Sequence, residues 1–256
     1  MDPNSHEAIV RRRDAATLTW RGPALMLFAR AAFAVGAQAL VAAVFAVRSS
    51  PSPWHHAEPW LPVYGTLIDA GCLALLWWLT RREGIRLFDL VGFERTRLVR
   101  DALLGFALIP ASLLFILGGI YAAGWLLYGT LTPPFLFGPL PLPAAVYGVL
   151  VWPFLWGLTE QMTYNGYLAP RLQVLCRSTT LAVASVAFAW SLQHVVMPLT
   201  FDTRFMAFRL LSSVPNTIFQ TLLYLRLRRL LPFVIAHALM DGASVLIGVL
   251  LPVLRT

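Results

Sequence analysis

The chain has no lysine: all 20 of its basic residues are arginine. Charge of either sign is sparse, at 12% of the 256 residues against roughly a quarter in soluble domains, which excludes an ordinary water-soluble globule. Cysteine is nearly absent. Cys72 lies in an apolar run and Cys176 in a short basic connection, so neither a Cys-x-x-Cys motif nor a disulfide framework can be drawn. Internal repeats and low-complexity tracts are missing. So are the Gly-x-Ser-x-Gly turn of serine hydrolases and the compact His-Glu-x-x-His zinc motif.

Hydrophobic residues fill the remaining space, at 58% of the chain with a mean hydropathy of +0.69. Apolar runs fall near 23–47, 61–80, 102–128, 143–170, 179–197, 206–225 and 231–253. A bilayer core needs about 20 helical residues, and each run approaches or exceeds that length. The expected fold is all-α, a polytopic transmembrane helical bundle of about seven spans. It forms one membrane domain over 23–256, preceded by a basic cytoplasmic segment over 1–22. The sixth run is the weakest because Arg209 sits near its start.

Arginine clusters in 1–22, 81–101, 171–178 and 226–230, whereas the loops at 48–60, 129–142 and 198–205 hold only Arg48 and Arg204. Such alternation puts the clustered side in the cytoplasm, with the N-terminus there and the C-terminus outside. The net charge of +8 therefore orients helices in a lipid bilayer, and nucleic acid is not an expected partner. Exclusive use of arginine fits a high-GC bacterial genome, hence a bacterial plasma membrane. The first run is too long for a signal-peptide core and lacks a clean cleavage site, so it reads as a retained span. Arg30 lies near enough to its inner end to snorkel. Leu87, Leu90, Val91, Leu98 and Val99 interleave with charges in 81–101, which fits a short interfacial helix and a solvated loop equally. Pro133, Pro134, Pro139, Pro141 and Pro143 predict a stiff, extended outer cap.

A charge in hydrocarbon costs about 3 kcal/mol or more, so buried ionisable groups face the bundle interior and carry function by default. Well inside the apolar runs lie only Asp69, Glu160 and Asp241 among the acids, and His194 and His237 among the histidines. A spacing of four puts Trp190 with His194, and His237 with Asp241, on shared helix faces. Carboxylates and imidazoles from three late helices can thus point into one cavity. At about 1.5 Å per residue from the inner ends, His237 and Asp241 lie about 9–15 Å deep, Glu160 about 15 Å and His194 about 24 Å. Convergence therefore requires tilt or a late start of the fifth helix. The competing role for any one such histidine is a plain interhelical hydrogen bond.

Glu160 followed by Gly166-Tyr167-Leu168, then Trp190-x-x-x-His194, then His237-x-x-x-Asp241 resembles the motifs of the CAAX-processing and bacteriocin-processing (CPBP, or Abi) family of intramembrane proteases. Those motifs read Glu-Glu-x-x-x-Arg, Phe-x-x-x-His and His-x-x-x-Asn or Asp. The likeness covers about 143–245. The earlier spans are similar only in being apolar. Two positions depart from the pattern: Gln161 replaces the second glutamate and Asn165 the arginine. Lying four apart, they can exchange a charged pair for a neutral hydrogen bond that leaves no buried charge alone. Decay into an inactive family member is the competing explanation.

The resemblance implies an intramembrane endopeptidase acting on a membrane-embedded or membrane-tethered peptide. Glu160 would be the base that activates water and His194 would help hold that water. His237 and Asp241 would serve the oxyanion, Asp241 by accepting an N–H from His237. It also implies a chamber that brings water from the cytosol. A divalent metal such as zinc on Glu160, His194 and His237 and a metal-independent glutamate mechanism both remain open. Three rivals come from other classes. An aspartyl protease would pair Asp69 with Asp241, but no Gly-x-Gly-Asp motif exists. A proton-coupled transporter would use the same buried groups as a relay, though repeats and paired broken helices are lacking. An immunity or scaffold protein would bind without catalysis.

Overall fold

Short polar residues start the helices that do not begin inside an apolar run. In the computed structural model, which describes residues 3–131 and 138–255, Ser5 Oγ accepts from the Ala8 N–H and opens helix α1, His6–Asp14. Ser178 does the same for α8, Thr179–Val195, and Asp202 for α9, Thr203–Leu227, where it accepts from the N–H groups of Arg204 and Phe205. Proline stands in the first turn of α3 (Leu61–Arg82), α6 (Trp152–Gln161), α7 (Ala169–Cys176) and α10 (Leu231–Val245), where its missing N–H is no loss. The remaining long helices are α2 (Arg21–Val47) and α4 (Leu98–Tyr128), with the shorter α5 at Leu142–Leu150. No strand occurs among the described residues.

The chain is an all-helical integral membrane protein. Segments at Arg21–Val47, Pro53–Arg82, Leu87–Tyr128 and Leu231–Val253 are long and apolar enough to cross a membrane, and α5 with α6–α7 adds a fifth bent by 43°. The bend falls at Val151, just before Pro153. α8 is one residue short of that test and α9 is too polar for it, with Ser212, Ser213, Asn216 and Gln220 in its middle, but both pack within the bundle. The seven apolar runs thus correspond to helical elements, about the number expected. Around the bundle, α2, α3, α6, α10, α4, α9 and α8 each contact the next, and α8 returns to α2. Glycines set the tightest crossings: Gly119 meets the Ser212 carbonyl, and a Cβ at Gly157 would lie 3.1 Å from the Ala238 nitrogen. Large side chains such as Phe28, Leu40, Leu103 and Leu114 stay exposed on the outer faces, as lipid contact requires.

The 1–22 segment is more than a basic tail. Ile9 and Leu18 bury against Val174 of α7, and Asn4 donates to the Gly166 carbonyl at 2.9 Å. The 81–101 connection is not one helix, and its residues 93–100 are exposed. It folds into short 3-10 turns at Leu87–Leu90 and Arg95–Arg97, with Leu90 buried beneath Gly166. Leu98 and Val99 already belong to α4. Of the expected proline cap, Pro133 and Pro134 lie outside the described residues; Pro139 and Pro141 are extended and Pro143 starts α5.

Candidate active site

Trp152, Trp156 and Glu160 repeat at a spacing of four on α6 and so share its inward face. Directly after Gln161 the helix widens into a π-helical stretch, Met162–Leu168, an irregularity common at functional sites. Glu160 is fully enclosed. Its Oε1 accepts from Trp190 Nε1 and from Gln193 Nε2, the latter at 2.7 Å, both supplied by α8. Its Oε2 lies 3.6 Å from Arg30 Nη2. Arg30 in turn donates to Asp69 at 2.9 Å and stacks over the Trp156 ring at 4.2 Å.

Arg30 therefore does not snorkel. It is 0% exposed, and its guanidinium is shared between Asp69 and Glu160. A guanidinium reaches the interfacial water only if nothing nearer satisfies it, and here two carboxylates do. Asp69 is accordingly engaged with Arg30, while Asp241 lies 3.3 Å from His237 Nε2, so the aspartyl-protease pairing does not form.

The histidine tautomers follow from their partners. His194 Nδ1 lies 2.8 Å from the Trp190 carbonyl, an acceptor only, so Nδ1 carries the proton and Nε2 the lone pair. His237 Nδ1 lies 3.1 Å from Gln161 Nε2, a donor only, so its proton sits on Nε2, facing Asp241. Gln161 Nε2 also donates to Gln220 at 2.7 Å, and Gln161 Oε1 accepts from Asn165 at 2.7 Å. The neutral Gln161–Asn165 bond anticipated from the spacing is present, and it extends into a network that orients His237.

Glu160, His194, His237 and Asp241 all line a cavity of about 650 Å³ between α4, α6, α8, α9 and α10. A late start of α8 does not account for this, since α8 begins at Thr179. α7 continues to Cys176, which places Glu160 about 24 Å from that end, level with His194. α10 begins well inside, with Leu230 packed on Gly166 and Ala238 on Gly157. The lining reaches Leu61, Met197, Arg209 and Ile247, towards the helix ends opposite the arginine-rich ones. A chamber on the arginine-rich side was expected; the pocket there, lined by Leu18, Arg21, Arg82, Glu83 and Tyr167, includes none of the four candidate residues.

Zinc on Glu160, His194 and His237 does not fit this donor set. Among the described residues no three His, Cys, Asp or Glu side chains gather as a metal requires. His237 Nδ1 is taken up by Gln161, and Glu160 Oε1 already accepts two donors.

Four contributors escaped the sequence reading. Arg30 and Arg209 were visible as arginines within apolar runs. Gln193 was visible only as the neighbour of His194, and Gln220 had no signal at all.

No curated protein and no solved structure matches the chain. Residues 142–243 match the family model described as Type II CAAX prenyl endopeptidase Rce1-like. Those residues contain Glu160, His194, His237 and Asp241, and over them the chain is similar to the Rce1-like type II CAAX prenyl endopeptidases.

Proposed function

We propose that the chain is an intramembrane endopeptidase of the CAAX-protease type, hydrolysing a peptide bond of a membrane-embedded or membrane-tethered substrate with a Glu160-activated water. The observation that carries this reading is the shared cavity: four side chains from three helices of the family segment converge on one enclosed space. Ionised Glu160 takes one proton of the water, and His194 Nε2 accepts the other in a hydrogen bond. The water oxygen adds to the scissile carbonyl carbon, and the C=O electron pair moves onto oxygen. The His237 Nε2–H, which lies 3.3 Å from Asp241 without a hydrogen bond to it, donates to that oxyanion, while Gln161 holds the ring through Nδ1. Collapse re-forms C=O and breaks C–N, and Glu160 returns its proton to the departing amine. One water is consumed and Glu160 is ionised again. Arg30, shared between Asp69 and Glu160, helps keep that charge tolerable in a dry interior.

The test is comparative membrane proteomics of cells carrying the wild-type chain or Glu160→Ala. A precursor that stays uncut only in the variant is expected, and no such precursor would sink the reading. Zinc chelation should leave cleavage by the purified protein unchanged. The immunity or scaffold reading draws on one observation, the neutral Gln161–Asn165 pair where the family carries charge; it expects normal function after Glu160→Ala. Solute flux in proteoliposomes that survives Glu160→Gln would point to transport instead.

A further inference from the structure

A second cavity, of about 650 Å³, lies at the arginine-rich end of the bundle, between the turn after α1, the start of α2 and the end of α3. Arg21 and Arg82 line it, the first residue of α2 and the last of α3. Both are exposed, and neither makes a hydrogen bond or ion pair among the described residues. The Arg82 guanidinium lies over the Trp78 ring at 4.0 Å, which leaves its N–H edge open. Glu83 also lines the cavity, but Arg171 engages it at 2.7 Å and Arg12 at 3.3 Å, so positive charge stays in excess there. The remaining walls turn apolar at Leu18, Leu25 and Leu79, where water would find few partners. Tyr167 also lines the cavity, and Gly22 runs so near it that a Cβ would meet its hydroxyl at 2.6 Å. The lining shares no residue with the cavity that holds Glu160.

The spacing sets an apolar side chain beneath each charge. Leu25 follows Arg21 by four residues and Trp78 precedes Arg82 by four, so each lies on the same helix face about 6 Å deeper. Leu25 is 49% exposed and Trp78 41%, and in a membrane bundle that exposure is to lipid. The cavity therefore opens sideways towards the bilayer. Exposed Trp20 and Trp77, the latter beneath Arg81 at 4.4 Å, put this level at the boundary between headgroups and hydrocarbon. We propose that the cavity is a binding site for an anionic phospholipid, its phosphate held by Arg21 and Arg82 and one acyl chain following Leu25 and Trp78. The Thr19 hydroxyl, unpartnered among the described residues, faces the same space and suits the glycerol oxygens. A soluble phosphate offers the same anion but leaves the apolar walls and the lipid-facing mouth unused. A zwitterionic headgroup sets its own cation against the two arginines. Bound there, the lipid ties the turn after α1 to α3.

The experiment uses the full chain in a neutral detergent with dioleoylphosphatidylglycerol, dioleoylphosphatidylcholine or glycerol phosphate. Affinity is read by native mass spectrometry and by thermal stabilisation. The wild type should bind phosphatidylglycerol at least about tenfold tighter than phosphatidylcholine, and glycerol phosphate far more weakly than either effect requires. Arg21→Gln and Arg82→Gln should each weaken the anionic lipid about fivefold, and the double variant should bring the two lipids within about twofold. Arg95→Gln removes an exposed charge outside the cavity and should keep the preference. Equal affinity of the wild type for the two lipids overturns the assignment, as does an undiminished preference in the double variant. An equal loss in Arg95→Gln, the mark of diffuse surface charge, also overturns it. Glycerol phosphate bound as tightly as phosphatidylglycerol would make this a soluble anion's site and remove the lipid.

Discussion

Two buried ionic clusters tie the first half of the chain to the family segment, and they are built from the same parts. At the arginine-rich end, Arg171 donates to Glu83 through Nε and Nη2 at 2.7–3.0 Å, to Asn4 and to the Gly166 and Tyr167 carbonyls, and stacks over Tyr167 at 4.1 Å. In the middle of the bundle, Arg30 stacks over Trp156 and faces Asp69 and Glu160. Every nitrogen of the first guanidinium donates. The second leaves Arg30 Nε and Nη2, Asp69 Oδ2 and Glu160 Oε2 without hydrogen bonds, next to a cavity. A saturated buried cluster is a rivet. One with unspent valence beside a chamber is a site, because its remaining groups can act on something that enters.

Breaking that contrast should give graded effects. The largest is expected at the rivet: Arg171→Met leaves the buried Glu83 with Arg12 alone, 3.3 Å away, and should cost about 3–5 kcal/mol, read as loss of thermal stability in detergent. Glu160→Gln should barely move the melting temperature and should lower cleavage by about 10²–10⁴-fold, the range of a lost general base. If unfolding and activity fall together in Glu160→Gln, the residue belongs with the rivet. Arg30→Met should lose stability by about 3 kcal/mol, and Arg30→Met with Asp69→Leu should recover most of that while cleavage stays impaired. Recovery of both would reduce the Arg30–Asp69 pair to packing. The smallest effect concerns the neutral network. Gln161→Glu and Asn165→Arg should each cost about 1–2 kcal/mol, and together should regain about 1 kcal/mol of coupling. A double variant no better than either single one would refute the pairing.

The fold was legible because hydrocarbon imposes a simple rule. Runs of about 20 apolar residues must be helices, since only a helix satisfies its own backbone there. The catalytic candidates were legible for the same reason, as the few ionisable groups tolerated in such runs. Arg30 was misread because its distance from a helix end suggested an escape to water, while its partners Asp69 and Glu160 come from helices far apart in sequence. The depth estimate for Glu160 erred because the apolar run near 143–170 ends before the helix does; α7 carries Arg171 inside the protein on the strength of Glu83.

Composition, hydropathy and the spacing of Glu160, His194, His237 and Asp241 determined a helical membrane protein with a few buried ionisable groups on inward helix faces, because burial in lipid and helical periodicity act on each segment locally. Only the tertiary structure decided which charges neutralise one another, which tautomer each histidine holds and which ends of the helices the cavity approaches. Those depend on how α2 and α3 close against α6, and side-chain atoms a few ångströms apart in space carry no mark of it along the chain.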